Sequence, residues 1–196
     1  MSVIRAFIAI SLSSEIHQKL DEVIYGLKNR LPKAPIRWVP ANNIHLTLKF
    51  LGDVSVSNLE ILTKMIQAEV SRHEPFEISV GELGVFPSAH RPRVIWVGIE
   101  APQELYSLHH GIETEMHRLG YAAEERPFSP HLTLGRVSRN ARADDYHPIT
   151  AVLSEFKVGF LGALRVQSID LYRSDLYPDG AVYTCVFSAP IEETKV

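Results

Sequence analysis

The chain of 196 residues has only one cysteine, Cys185, and no hydrophobic run long enough to span a membrane. One cysteine excludes an intrachain disulfide and a zinc site built from four cysteines. A membrane-spanning helix needs about 20 apolar residues in a row, and the apolar start, residues 1–12, lacks the basic segment of a signal peptide. These absences predict a protein of the reducing cytoplasm. Cys185 itself, on a predicted late strand, is expected to be a small buried hydrophobic residue.

An excess of charge of either sign is also missing. The chain carries 20 Lys and Arg residues against 23 Asp and Glu residues, which gives a net charge of −3. This balance provides no general attraction to nucleic acid or to an anionic membrane, so a polyanion would have to bind at a local site. The hydrophobic share of 45% is typical of a globular protein, and the length suits a single domain covering residues 1–196. Histidine, by contrast, is abundant, with nine residues.

Hydrophobic periodicity predicts a mixture of strands and helices. Strands are predicted at residues 5–10, 44–51, 76–86, 94–99, 131–137, 156–160, 164–172 and 181–188. Helices are predicted from a serine cap at residues 13–14 to Pro32, and at residues 57–72, 102–119 and 149–155, with a polar loop at 138–147 and a turn at 177–180. Because strands and helices do not alternate strictly and glycine-rich phosphate loops are missing, the pattern favours an α+β fold.

One tetrapeptide, His-Leu-Thr-Leu, occurs twice, beginning at His45 and again at His131. Successive side chains of a strand point to opposite faces. His45 and Thr47 therefore share one face, as do His131 and Thr133, while the leucines lie on the other face and can enter a core. The repeat predicts two related lobes that each contribute one strand to a shared groove.

Two histidines and two threonines facing one groove suit a particular kind of chemistry. A neutral imidazole can take a proton from water, and a protonated imidazole can give one to a leaving alkoxide. Threonine hydroxyls can donate hydrogen bonds to the non-bridging oxygens of a phosphate. In-line displacement at phosphorus places the attacking and leaving groups on opposite sides, which two facing strands can serve. This combination indicates the opening of a cyclic phosphodiester by water.

A metal site is the competing interpretation of the same histidines. Zinc usually takes a third protein ligand together with water. Asp53 and His147 could supply such a ligand, but their spacing from His45 and His131 matches no known zinc-binding pattern. The metal-free interpretation is therefore favoured.

Further segments accompany the two copies along nearly the whole chain, at residues 5–9, 38–40, 43–52, 92–98, 128–136 and 172–174, together with Tyr183. In this order they resemble the two-histidine (His-x-Thr-x) phosphoesterase superfamily. Within it, they resemble the RNA 2′,3′-cyclic phosphodiesterases, also called 2′-5′ RNA ligases.

The resemblance implies a bilobal α+β fold, in which two intertwined, pseudo-symmetric lobes, each with an antiparallel sheet and helices, enclose a central cleft. It also implies that the protein needs no metal ion and no other cofactor. Carried over position by position, it assigns the following roles: His45 as proton donor, His131 as proton acceptor, Thr47, Thr133 and Arg136 as phosphate-binding residues, and Phe86 as part of the same pocket.

Arg136 raises a geometric difficulty. In a regular strand it is out of phase with His131 and Thr133, so its side chain would point away from them. Arg136 reaches the cleft only if the strand twists or ends near Gly135. A guanidinium there would match the geometry of a phosphate.

The activity implied by the resemblance is hydrolysis of RNA 2′,3′-cyclic phosphodiester ends to 2′-phosphomonoesters. Candidate substrates are tRNA halves and small cyclic nucleotides, and the protein is expected to be a monomer that binds no membrane. Reversible 2′-5′ RNA ligation in the same site is one alternative. A non-catalytic module that binds RNA termini is another, although arginine or lysine would bind a phosphate more simply than paired histidines.

The remaining aromatic and histidine residues have weaker claims to function. Trp38 and Trp96 either stack on bases or pack in the core. The other histidines are expected to be exposed and without a chemical role; they are His17, His73, His90, His109, His110, His117 and His147.

Overall fold

The computed structural model describes residues 2–178 and 180–193. Within these ranges the chain forms nine strands: β1 (Val3–Ile10), β2 (Ile36–Trp38), β3 (Leu46–Ser55), β4 (Phe76–Phe86), β5 (Val94–Glu100), β6 (His131–Val137), β7 (Phe160–Val166), β8 (Ser168–Tyr177) and β9 (Gly180–Pro190). The same ranges hold four α-helices: α1 (Ser14–Arg30), α2 (Leu59–Val70), α3 (Gln103–Arg118) and α4 (Ala143–Glu155). In this described part of the chain, no helix combines the length and apolarity needed to cross a membrane.

The strands form two antiparallel sheets. The four-stranded sheet has the order β3-β1-β8-β9, and the five-stranded sheet has the order β2-β6-β5-β4-β7. The first tetrapeptide runs into β3 of one sheet, and the second begins β6 of the other. Although they belong to different sheets, β3 and β6 contact each other. The predicted bilobal α+β fold is confirmed.

Helices pack against both sheets. Helix α1 contacts β7, α2 contacts β8, β9 and α3, and α3 contacts β3. Helix α1 begins after Ser13, whose hydroxyl accepts a hydrogen bond from the Ile16 N–H at 3.3 Å, as expected of a serine N-cap. Its buried face consists of residues at helical spacing: Ile16, Leu20, Val23, Ile24 and Leu27.

The leucines of both tetrapeptides are buried, as the alternation predicts. Leu46, Leu48, Leu132 and Leu134 all belong to the main hydrophobic core, which draws residues from both sheets. The histidines and threonines beside them stay partly exposed. Each motif strand is therefore anchored by one face, and its other face is free to form a site.

The segment at residues 138–155 differs from the prediction. The polar loop predicted at residues 138–147 is shorter, because α4 already begins at Ala143. Its first turn is closed by the Arg142 N–H, which donates to the Asp145 carboxylate at 2.7 Å. Tyr146 and Ile149 are buried in a small core beside the main one, so packing overrides the polar composition of the segment.

The predictions for the C-terminal strands were also partly wrong. Residues 156–159 are not a strand, and the segment predicted as one strand at 164–172 is divided between β7 and β8, which lie in different sheets. Cys185 is exposed rather than buried, because β9 is an edge strand. Of the turn predicted at residues 177–180, Asp179 lies outside the described residues.

The anchoring of the motif strands leads to a stability prediction. Leu132→Ala leaves a cavity in the core and should lower the free energy of unfolding by about 2–5 kcal/mol. Phe160→Ala is the control, since that side chain is 72% exposed and its loss should cost less than about 0.5 kcal/mol. Urea denaturation measures both. Equal and small losses in the two variants would contradict the anchoring of β6 through its leucines.

Candidate active site

A cleft of about 1110 Å³ opens between the two lobes. Its walls bring together all of the site residues predicted from the sequence: His45, Thr47, Phe86, His131, Thr133 and Arg136. The two threonines therefore face the same space as the two histidines. The repeated tetrapeptide places one His-Thr pair on each side of one cleft.

A β-bulge explains how Arg136 reaches this cleft. In β6, Thr133 and Gly135 pair with consecutive residues of β5, so Leu134 is an extra residue between them. A bulge shifts the alternation of the following side chains by one position. Arg136 consequently lies on the same face as His131 and lines the cleft, and the phase difficulty of a regular strand does not arise.

The first motif copy has a bulge at the same place. In the pairing of β3 with β1, Leu48 is the extra residue, which matches Leu134 of the second copy. The residue five positions after the histidine therefore faces the cleft in both lobes. That residue is Arg136 in one lobe and Phe50 in the other, so the two cleft walls differ chemically at this position.

His45 lies just before β3 within a cluster of aromatic rings. Its ring stacks on Phe7, with centroids 4.6 Å apart and planes 17° apart, and Tyr183 approaches it edge-on at 5.1 Å. Burial and, to a smaller extent, the charge of His17 lower the pKa of His45 to about 4, against the opposing effect of a hydrogen bond with the Asn43 backbone. In the free protein His45 is therefore neutral near pH 7.

His17 also holds the backbone that carries His45. Its Nε2 atom lies 3.0 Å from the carbonyl oxygen of Ile44, the residue immediately before His45. His17 belongs to the first turn of α1, so this contact links the helix to the motif. The expectation that His17 is exposed was wrong, because its ring is half-buried in this contact.

His131 has a different environment. Its Nδ1 atom lies 2.7 Å from the carbonyl oxygen of Ser129, which accepts the Nδ1 proton and leaves Nε2 as the free nitrogen. Phe86 packs edge-on against the ring, with centroids 5.0 Å apart. Burial lowers the pKa of His131, the Ser129 hydrogen bond opposes this change, and the nearby charge of Arg136 adds to the lowering.

The two tryptophans pack within the fold and do not line the cleft in the described part of the chain. The Trp96 ring lies directly over Gly84 of the neighbouring strand, where a Cβ atom would come within 2.1 Å of it. Trp38 lies against Gly135 in the same way, with 2.9 Å to such an atom. Trp38 packs against the main hydrophobic core, as one of the two interpretations predicts, whereas Trp96 packs beside Phe86 and His131, with ring centroids 5.0 and 6.2 Å apart.

Sequence reasoning missed a cluster at one end of the cleft. Lys49 is buried, and its Nζ atom donates to Glu113 at 2.7 Å and to the Ala122 carbonyl oxygen at 2.6 Å. His109 lies in the same cluster and stacks on Phe128, with centroids 3.8 Å apart. The sequence signal was the spacing of His109 and Glu113 on one face of α3, which gains meaning only because α3 packs against β3.

The remaining histidines follow the sequence expectation only in part. His90, His110, His117 and His147 are exposed. His73 and His109 are not, since the side chain of each is only 14% exposed and lies near a glutamate. For His73 that partner is Glu69, at 3.0 Å.

The residues suggested for a metal site do not gather at the cleft. Asp53 and His147 are exposed, and neither lines it. Over residues 2–178 and 180–193, no three or more His, Cys, Asp or Glu side chains are grouped so that they could hold a metal ion.

Comparison with known proteins agrees with this geometry. The family model described as "LigT like Phosphoesterase" matches residues 10–96 and matches again at residues 97–183. Each match contains one copy of the His-Leu-Thr-Leu tetrapeptide. The chain belongs to the LigT-like phosphoesterase family. The two-histidine superfamily inferred from the sequence is thereby confirmed.

Several relatives extend over nearly the whole chain. An RNA 2′,3′-cyclic phosphodiesterase of Methanothermobacter thermautotrophicus is 34% identical over 92% of this chain and 95% of its own length. One from Thermotoga maritima is 30% identical over 96% of each chain. Among solved structures, LigT of Escherichia coli complexed with 3′-AMP superposes with a TM-score of 0.75 at 26% identity, covering 98% of this chain and 100% of its own.

The contact between His17 and the His45 segment generates a prediction. His17→Gln keeps a side-chain amide that can donate to the Ile44 carbonyl but removes the positive charge. The pKa of His45 should therefore rise from about 4, while staying below 6.5 because burial is the larger cause. NMR titration of the imidazole signals measures this value.

The exposed His110, on α3, provides the matched control. His110→Gln removes an imidazole outside the cleft lining and should leave the pKa of His45 unchanged. A His45 pKa that stays at about 4 or falls in His17→Gln would show that the charge of His17 does not act on it.

Proposed function

We propose that this protein hydrolyses the 2′,3′-cyclic phosphodiester at RNA ends to a 2′-phosphomonoester, without a metal ion, by acid–base catalysis from His45 and His131. The observation that carries the proposal is the single cleft lined by both His-Thr pairs. The relatives named RNA 2′,3′-cyclic phosphodiesterase support the choice of substrate. The bound 3′-AMP in the Escherichia coli relative supports a nucleotide as ligand.

In this mechanism His131 is the base and His45 is the acid. The free Nε2 of His131 takes a proton from water as the water oxygen attacks phosphorus. The bond from phosphorus to the 3′ oxygen breaks on the opposite side, and His45 gives its proton to that oxygen. The product is a 2′-phosphomonoester with a free 3′-hydroxyl group.

Negative charge on the non-bridging oxygens needs stabilisation during this step. Thr47 and Thr133 can donate hydrogen bonds from their hydroxyl groups, one from each lobe. Arg136 supplies a guanidinium on the His131 side, which the bulge directs into the cleft. Phe86 holds the His131 ring edge-on and forms part of the same wall.

The low pKa of His45 has to be reconciled with its role as proton donor. Free His45, with a pKa of about 4, is mostly neutral at pH 7. A bound phosphodiester places an anion beside the ring, which favours the protonated form and raises the pKa. The substrate thus helps to charge the acid that acts on it.

Reversible ligation in the same site is the alternative within this chemistry. In ligation the 5′-hydroxyl of a second RNA would take the place of water, give its proton to His131 and displace the 3′ oxygen, which His45 would protonate. In the reverse cleavage the 3′-hydroxyl attacks phosphorus and the 5′ oxygen leaves, so the two histidines exchange roles. A module that only binds RNA termini is disfavoured by the matched His-Thr pairs, since Arg136 alone would be the simpler phosphate ligand.

The first test of the proposed function uses adenosine 2′,3′-cyclic phosphate in the presence of EDTA. Turnover should persist, and His45→Ala and His131→Ala should each lower kcat by about 10²–10⁴-fold, because each removes one proton-transfer group. Thr47→Ala should cost less than either. Chromatography against 2′-AMP and 3′-AMP standards should identify the 2′-phosphate as product.

Three outcomes would contradict this account. Turnover that requires added metal would rule out the metal-free acid–base mechanism. A 3′-phosphate product would show that the 2′ oxygen, and not the 3′ oxygen, is the leaving group. Tight binding without turnover would favour the binding module.

The pH dependence gives a second test. The active form needs one protonated and one neutral imidazole, so its population peaks between the two pKa values. Because both are lowered, that of His45 to about 4, the profile of kcat/KM should be a bell with its maximum below pH 6.5. The maximum of kcat should lie at higher pH, since bound substrate raises the imidazole pKa values.

Steady-state rates from about pH 4 to pH 9 on the cyclic nucleotide measure both profiles. A flat kcat/KM profile, or one whose maximum lies at the same pH as that of kcat, would contradict paired imidazoles that the substrate anion perturbs.

A further inference from the structure

A second groove continues the cleft along the face of the four-stranded sheet. It has a volume of about 160 Å³, and its lining includes Arg5, Phe7, Phe50, Leu176 and Tyr183. Phe50 and Tyr183 line the main cleft as well. Phe7, which lies in the groove, is also the ring on which His45 stacks. The groove therefore adjoins the aromatic rings that surround His45.

The groove presents large apolar side chains to solvent. Phe50 is 67% exposed and Leu176 is 64% exposed. The bulge at Leu48 directs Phe50 to this surface, at the position where the other lobe carries Arg136. Exposed aromatic rings beside a phosphate site are the usual platforms on which unpaired bases stack.

Arg5 lines the groove, and its guanidinium has no ion-pair partner among the described residues. Arg5 is exposed and forms no ion pair there, although Asp53 is its register partner on β3. Nearby Arg173 differs, because its guanidinium pairs with Asp175 at 2.8 Å. A free guanidinium close to exposed apolar side chains fits the phosphate of a single-stranded nucleic acid.

We infer that this groove binds the nucleotide on the 5′ side of the cyclic end, with its base against Phe50 and Leu176 and a phosphate at Arg5. The inference rests on the proposed function, which places the terminal nucleoside and its cyclic phosphate in the main cleft. It adds that the preferred substrate is an RNA chain rather than a cyclic mononucleotide. A cyclic mononucleotide would occupy the cleft alone, whereas an RNA chain would place two or more nucleotides in the cleft and the groove together.

The experiment compares two substrates, adenosine 2′,3′-cyclic phosphate and a 5′-phosphorylated diadenylate that ends in a 2′,3′-cyclic phosphate. The readout is the ratio of their kcat/KM values, dinucleotide over mononucleotide. This ratio should exceed 1 in the wild type and fall about tenfold in Phe50→Ala, because a stacking platform is lost. Phe50→Tyr should restore it.

Arg5→Ala tests the phosphate contact. It should lower the same ratio and make the dinucleotide rate less sensitive to salt, because one counterion-releasing contact is lost. Phe160→Ala and Arg139→Ala are the matched controls, since both side chains are exposed and neither lines the cleft or the groove. They should leave the ratio at its wild-type value.

The possible outcomes distinguish a failure of the groove assignment from a failure of the proposed function. If both substrates are hydrolysed but the ratio is near 1, or is unchanged in Phe50→Ala and Arg5→Ala, the groove does not bind the preceding nucleotide and the proposed function stands. If the wild type hydrolyses neither substrate, the proposed function fails and the groove assignment fails with it.

Discussion

The alternation of side chains along two short strands is the constraint on which the rest of this structure depends. In β3 and β6 the leucines on one face are held in a common core, so the opposite faces must point into the space between the lobes. A slip of one residue would bury the polar pairs and expose the leucines. The bulge that follows each pair then decides which residue comes next on the cleft wall.

Identical tetrapeptides acquire different properties from their surroundings. His45 lies among aromatic rings and near His17, whereas His131 has Phe86 on its edge and Arg136 nearby. Duplication thus supplies two imidazoles in matched geometry, and divergence of the neighbouring side chains gives them unequal proton affinities. In the free protein the pKa of His45 is about 4, so a bound phosphate anion has to raise it before this ring can serve as the proposed proton donor.

The sequence was sufficient for those features that depend on local pattern. The repeated motif, the two lobes and the α+β class follow from alternation and periodicity, and the structure agrees with them. The route of Arg136 into the cleft was not predictable, because a bulge at Leu134 arises from pairing with another strand. The grouping of His109 and Lys49 around Glu113 depends on the packing of α3 against β3. The exposure of Cys185 depends on the edge position of β9, and neither feature is encoded in local sequence.

The central claim is that two imidazoles act on opposite sides of one phosphorus atom in a single displacement by water. The stereochemical course at phosphorus tests it most directly. A single diastereomer of adenosine 2′,3′-cyclic phosphorothioate, opened by the protein in ¹⁸O-labelled water, should give the 2′-phosphorothioate with inverted configuration. Retention would mean two successive displacements through a covalent enzyme intermediate, and it would contradict the paired acid–base mechanism.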